Sequence, residues 1–142
     1  MSIGRLLEMA ISAGDRVVVT YGDRSLTASQ VRTLARAAAR RFEGRPAVLY
    51  IAPNHPAYPV ALFGAASAGV PFVPLNYRLG DKQMAELRGR HPGAVELGPG
   101  DLDALVDPAL LEQGGPGDGE GPAAEVGDDD VAVILYTSGT TA

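Results

Sequence analysis

Val131-Ala132-Val133-Ile134-Leu135-Tyr136-Thr137-Ser138-Gly139-Thr140-Thr141 is the stretch that decides the reading of this chain. An apolar run with the look of a buried strand ends in Tyr136, and five small residues follow at once. A strand that empties into hydroxyls and one glycine is suited to wrapping phosphate oxygens. Each hydroxyl is a donor, Gly139 lets the backbone approach closely, and exposed N–H groups in such a turn attract anions. The pattern points to a nucleotide site. An ordinary Ser/Thr turn after a strand has the same local composition, so the segments upstream must decide.

Working backwards, residues 112–130 (EQGGPGDGEGPAAEVGDDD) carry seven of the seventeen acids and no base. Glycine, proline and like charges there predict a loop, because little surface can be buried to offset chain entropy. Without this stretch the twelve Lys and Arg slightly outnumber the remaining acids, so the net charge of −5 belongs to one segment. Neither part has the basic patch of a nucleic-acid binder.

Upstream of the loop the chain alternates strands and helices. Val17 to Tyr21 and Ser25 to Thr27 flank a Gly22-Asp23-Arg24 turn and predict a hairpin. Thr27-Ala28-Ser29-Gln30 fits a capping box, and Val31, Leu34, Ala35, Ala38 and Phe42 then share one helical stripe. Arg32, Arg36 and Arg40 form the opposite stripe and are expected on a solvated face. Pro46 to Ile51 reads as a buried strand. The next helix is expected to be capped by Asn54 and stopped by Gly69, with alanines and Gly64 allowing it close to the sheet. Val70 to Leu75 is the following strand, expected at an edge or as an irregular strand because Pro71 and Pro74 lack N–H donors. A helix over 79–90, a short strand over 94–97 and a short helix over 102–106 complete the series. This rhythm predicts an α/β fold, layered, with a mostly parallel sheet. Three segments follow: 1–111 as the α/β part, 112–130 as the acidic loop, and 131–142 as the strand and the start of the phosphate-binding loop.

Several function classes are excluded. There is no cysteine, hence no disulfide, thiolate metal site or cysteine nucleophile. His55 and His91 have no metal-ligand spacing, so no metal site is expected. No stretch reaches the roughly 18 apolar residues of a membrane span. Met1 to Ala13 reads as an amphipathic helix and lacks the long apolar centre of a signal peptide, which favours a cytoplasmic protein. His55 is expected as an exposed turn residue, Asn76-Tyr77-Arg78 as a turn and cap, and Tyr21, Tyr50 and Tyr58 as core or boundary aromatics. No carboxylate pair or nucleophile–base set stands out, so no catalytic residue is named.

The order of the segments resembles the N-terminal part of the adenylate-forming enzymes: acyl-CoA synthetases, nonribosomal adenylation domains and luciferase-like ligases. VTYGDRSL (19–26) with Thr27 looks like their opening hairpin and helix start. Ala52-Pro53-Asn54 before an alanine-rich helix looks like their second βα unit. SAGVPFVPLN (67–76) is similar to their KAGxxxVPLN segment, and YTSGTT (136–141) is similar to their phosphate loop. Ala28 and Gln30 stand where the family usually has an aromatic residue and glutamate, and Ala142 where it commonly has glycine.

The resemblance implies an ATP-dependent carboxylate–CoA ligase that makes an acyl-adenylate and then an acyl-CoA, with a fatty acid as the first acyl substrate to consider. It implies ATP, Mg²⁺ and coenzyme A, and it assigns the phosphate cradle to Thr137, Ser138, Gly139, Thr140 and Thr141. The family's later motifs are not among these 142 residues. The expectation is therefore an incomplete N-terminal subdomain, cut within the phosphate loop, inactive alone and prone to self-association through an unpaired final strand. An amino-acid adenylation domain feeding a carrier protein and a noncatalytic interaction module both remain open at this point.

Overall fold

Parallel pairing on both sides of one short, fully buried strand organises the molecule. In the computed structural model, which describes residues 16–113 and 133–136, that strand is Val48–Tyr50 (β3). The expected helix over Met1 to Ala13, most of the acidic loop and the phosphate loop lie outside the described residues.

The chain enters through an antiparallel hairpin of Val17–Tyr21 (β1) and Arg24–Thr27 (β2), closed by Gly22 and Asp23. Gly22 has a φ of 57° while Asp23 keeps a negative one. A left-handed first central residue is the II′ pattern, whose twist matches that of the flanking strands. Arg24 Nη2 donates to the carbonyl of Val106 and ties the hairpin to the far end of the fold.

Helix α1 (Ala28–Phe42) starts at the capping box read from the sequence. The Gln30 amide donates to Thr27 Oγ1 at 3.2 Å, and the Thr27 amide donates to Gln30 Oε1 at 2.9 Å. Val31, Leu34, Ala35, Ala38 and Phe42 are all buried. The arginine stripe is less solvated than expected. Arg40 is exposed, but Arg32 and Arg36 are half-buried.

After β3 come α2 (Ala57–Ala68), β4 (Phe72–Pro74), α3 (Asp81–Gly89) and β5 (Val95–Leu97). The sheet order is β4-β3-β5, with both pairings parallel. The first crossover steps from β3 to one side and the second steps back across it. Right-handed connections in opposite directions put α2 and α3 on opposite faces. The two apolar clusters show the same division. Val48, Tyr50, Phe72 and Leu97 pack with α1 and α2, whereas Leu49 and Val73 pack with Met84 of α3. Alternate residues of each strand therefore feed alternate layers. Short helices α4 (Leu102–Leu105) and α5 (Pro108–Gln113) close the first layer through Leu102, Leu105 and Val106. Helix α5 takes in Glu112 and Gln113, the first two residues assigned to the acidic loop.

Two expectations need correction. Gly64 of α2 faces helix α1, whereas Ala57, Ala61 and Ala65 pack in the layer that includes Val48, Tyr50 and Phe72 of the sheet. A Cβ built on Gly64 would lie 2.8 Å from Ala38 Cβ and 3.0 Å from the Ala35 carbonyl oxygen, both on α1. β4 is the terminal strand of the three-stranded sheet, as its prolines imply, and its outer side carries one isolated bridge. Val133 pairs with Phe72 in parallel, and the Ile134 amide donates to the Phe72 carbonyl at 2.9 Å. The same pairing corrects the expectation of a final strand without a partner.

The prolines fit because of alternation. Val48 N–H donates to the Pro71 carbonyl, and Leu75 N–H donates to the Tyr50 carbonyl. Residues 71, 73 and 75 thus turn their backbone toward β3, and 72 and 74 turn theirs away. Pro74 occupies an outward slot, where its missing donor costs the β3–β4 ladder nothing.

Candidate functional site

The chain leaves β3 toward one face and leaves β4 toward the other. In open α/β sheets that divergence opens a crevice beyond the carboxyl ends of the two strands, the usual place for a ligand. Its walls are the loops 51–56 and 75–80.

The first wall is held by side chains. Tyr50 is 2% exposed and its hydroxyl donates to the Pro53 carbonyl at 3.1 Å. Burial, with Tyr58 and Tyr21 adding to it, pushes the Tyr50 phenol up to about 12. Burial raises the Tyr58 phenol as well. Both phenols are therefore held in the neutral form, and Tyr50 acts as a donor. Their rings stand 5.0 Å apart edge to face, with Phe72 5.3 Å from Tyr58. Tyr21 is 53% exposed, unlike the core or boundary residue expected, and its ring lies 6.2 Å from that of His55.

Asn54 is exposed and does not cap α2, contrary to expectation. His55 takes that role. Its Nδ1 accepts the Ala57 amide at 3.0 Å, and its Nε2 lies 3.0 Å from Asp103 Oδ1. An Nδ1 that accepts carries no proton, so Nε2 bears the hydrogen that Asp103 receives. Both ring nitrogens are engaged, and His55 is a structural clasp rather than the exposed turn residue predicted.

The second wall is the turn foreseen at Asn76-Tyr77-Arg78. Asn76 Oδ1 accepts the Arg78 amide at 2.9 Å, and the Arg78 guanidinium lies 5.5 Å from the Tyr77 ring centre.

The phosphate-loop candidates Thr137, Ser138, Gly139, Thr140 and Thr141 lie outside the described residues, but the residue before them does not. Because Val133 pairs in parallel with Phe72, the last described segment runs beside β4 in the same direction, toward the end where β3 and β4 open into loops. Tyr136 packs on the second cluster, its hydroxyl 2.7 Å from His91 Nε2. The Arg90 guanidinium lies 5.4 Å from its ring centre. The sequence carries no signal for this contact, since 45 residues separate the partners. A hollow of about 380 Å³ also lies between α1 and α4–α5, lined by Ala38, Arg40, Arg41, Leu105 and Leu110 among others. None of the crevice loops contributes to it.

A family model described as AMP-binding enzyme matches residues 8–89, more than half of the chain. The chain belongs to the AMP-binding enzyme family. The fold described above, with its parallel sheet between helical layers, is the N-terminal fold of these AMP-binding, adenylate-forming enzymes. A feruloyl-CoA synthase from Amycolatopsis sp is 35% identical over 131 residues, 87% of this chain and 26% of that protein. The chain thus spans about a quarter of the length of the curated relatives it matches. Among solved structures, the inhibitor-bound N-terminal domain of FACL13 from Mycobacterium tuberculosis superposes with a TM-score of 0.74 at 24% identity, covering 99% of this chain and 42% of that one. An artificially fused adenylation–PCP di-domain, NpsA-ThdA from Klebsiella oxytoca, gives 0.73 at 16%, covering 96% and 28%. At those identities the structural likeness concerns the fold.

Proposed function

We propose that this chain serves an ATP-dependent carboxylate–CoA ligase. The carboxylate attacks the α-phosphorus of ATP in line, pyrophosphate leaves, and the acyl group then passes from AMP to the thiol of coenzyme A. Thr137, Ser138, Gly139, Thr140 and Thr141 hold the β- and γ-phosphate oxygens. Charge builds on these oxygens as the diphosphate departs, and preplaced N–H and O–H donors lower the barrier there. Magnesium enters with the nucleotide as part of the substrate and neutralises the same charge. Among the described residues no three His, Asp or Glu side chains converge on a point that could hold it, so no magnesium ligand is assigned.

The observation that carries this reading is the 35% identity to a feruloyl-CoA synthase over 131 residues, together with the hydroxyl-rich sequence that follows a segment bridged in parallel to β4 at Val133. The same identity makes an arylpropenoate such as ferulate the first acid to test, ahead of a fatty acid. The three segments keep their proposed roles: 1–111 as the α/β part, 112–130 as the acidic loop, and 131–142 as the strand and the start of the phosphate-binding loop. The 142 residues by themselves are proposed to lack turnover, since one loop supplies few of the contacts that hold a nucleotide. A cytoplasmic location suits this use of ATP and coenzyme A.

The test replaces the matching 131 residues of the Amycolatopsis enzyme with this chain and follows ferulate-dependent ATP–pyrophosphate exchange. A folded fusion is expected to exchange, and Thr140→Ala with Thr141→Ala is expected to slow it by roughly 100-fold, the usual effect of losing donors to developing charge. A folded fusion whose exchange is indifferent to alanine at 137, 138, 140 and 141 overturns the proposal.

A further inference from the structure

We propose that His91 is a positioning residue for the phosphate loop, acting through Tyr136. The inference rests on the reading of 137–141 as that loop, and it adds a residue from a distant part of the chain.

Tyr136 is the last described residue before the hydroxyl run. Its side chain is held on three sides. His91 Nε2 lies 2.7 Å from its hydroxyl, with the two rings 5.9 Å apart and nearly perpendicular. The Arg90 guanidinium sits 5.4 Å from the ring centre, within the range of a cation–π contact. The ring itself packs on the cluster of Leu49, Val73 and Met84, which Ile134 also joins.

The corner that presents His91 is itself fixed. The His91 amide donates to the Arg88 carbonyl at 3.1 Å, and its carbonyl accepts the Ala94 amide at 3.2 Å. Gly93 turns the chain with a φ of 79°, and its carbonyl accepts both Nε and Nη2 of Arg45 at 3.1 and 2.9 Å. Arg88 Nε donates to Glu96 Oε1 at 2.8 Å, bracing α3 against β5. The imidazole is thus placed before any ligand arrives.

Ordering a run of small residues around a diphosphate costs chain entropy. Fixing its first Cα lowers that cost, because the donors of the next few residues start from one origin. A hydrogen bond from a braced corner to the tyrosine directly before the loop does this without touching the nucleotide. The expected signature is a change in affinity for ATP with no change in affinity for the acid.

The experiment uses the fusion described above together with the 142-residue chain. His91→Phe keeps a ring beside Tyr136 and removes its hydrogen bond, and Tyr136→Phe removes the same bond from the other side. Each is expected to raise the KM for ATP by about tenfold, the effect of one hydrogen bond, with the KM for ferulate unchanged. The double variant is expected to be no worse than either single one, because both delete one interaction. His91→Gln, which can still reach the hydroxyl, is expected to restore most of the loss. In the 142-residue chain both Phe variants are expected to speed amide exchange at Tyr136 and in the residues after it.

Equal rises in both KM values, additive single effects, or no rescue by Gln would overturn the positioning role. Thr140→Ala separates this failure from failure of the parent reading. If Thr140→Ala slows exchange and His91→Phe leaves the KM for ATP unchanged, only the role of His91 falls. If alanine at 137, 138, 140 and 141 leaves exchange unchanged, the loop assignment falls and takes His91 with it.

Discussion

His55 holds the start of α2 and the flank of α4 with one ring: Nδ1 takes the Ala57 amide at 3.0 Å, and Nε2 faces Asp103 Oδ1 at 3.0 Å. The two contacts differ in worth. The Ala57 amide belongs to the first turn of a helix whose cap residue, Pro56, has no side-chain oxygen to offer. The Asp103 side chain is 92% exposed, and its pairing is screened by water.

His55→Ala is therefore expected to destabilise the fold by about 1 kcal/mol, the usual cost of losing an N-terminal cap. His55→Asn, whose carbonyl can accept the same amide two residues on, should recover most of it. Asp103→Asn should change little. Urea unfolding followed by circular dichroism measures all three, and a larger loss for Asp103→Asn than for His55→Ala would contradict this ranking.

Gly64 offers a sharper case of two opposing effects. In an exposed helix interior, Gly→Ala stabilises by up to about 1 kcal/mol. Here the added methyl would stand 2.8 Å from Ala38 Cβ and 3.0 Å from a backbone oxygen, with Ala39 N at 3.3 Å. None of these is the loose end of a flexible side chain, so the helices must separate. Overpacking costs about 1–3 kcal/mol and wins. Gly64→Ala is expected to lower the urea midpoint, and an unchanged or higher midpoint would show that α1 and α2 part without strain.

These two sites also mark how far the sequence could be read. The Thr27–Gln30 box, the buried stripe of α1 and the stop at Gly69 were legible because each is a local rule, satisfied within four residues. The α/β alternation was legible because a run such as Ala47 to Ile51 has no polar residue to offer water. Gly64 is legible as a small residue, but which neighbour it admits depends on how two helices pack. Residue type alone points to Asn54 as the cap of α2, but the geometry that Pro56 imposes gives the role to His55. His91 and Tyr136 were out of reach, since pairing across 45 residues leaves no periodic trace. The phosphate loop is legible only as a motif, and the structure adds the direction of the segment before it, bridged to β4 at Val133.

The pairing of Val133 with Phe72 has consequences for association. The outward side of β4 has few groups to offer, since Pro74 has no amide hydrogen, but the Phe72 carbonyl is there and Ile134 covers it. Ile134→Pro removes that donor and uncovers the edge. The variant is expected to self-associate at lower concentration than the parent chain in sedimentation velocity. Identical sedimentation would mean that this single bridge does not protect the edge.

Tyr50 predicts the response to alkali. Its phenol is neutral when protonated, and burial raises its folded value from 10.0 to about 12. Unfolded chains release this proton first, so between those values the unfolded state binds fewer protons than the folded one, and rising pH favours unfolding. The stabilisation from this group is complete below pH 10 and is lost as pH climbs through about 12. Tyr50→Phe removes the linkage together with the bond to the Pro53 carbonyl, at a cost of about 1 kcal/mol near neutrality. The variant should therefore be the less stable protein at pH 7, and its stability should fall less steeply than that of the parent above pH 10. Urea midpoints from pH 7 to 12, with phenolate absorbance recorded in parallel, give both slopes. Parallel pH curves would mean that Tyr50 ionises as readily in the folded chain as in the unfolded one.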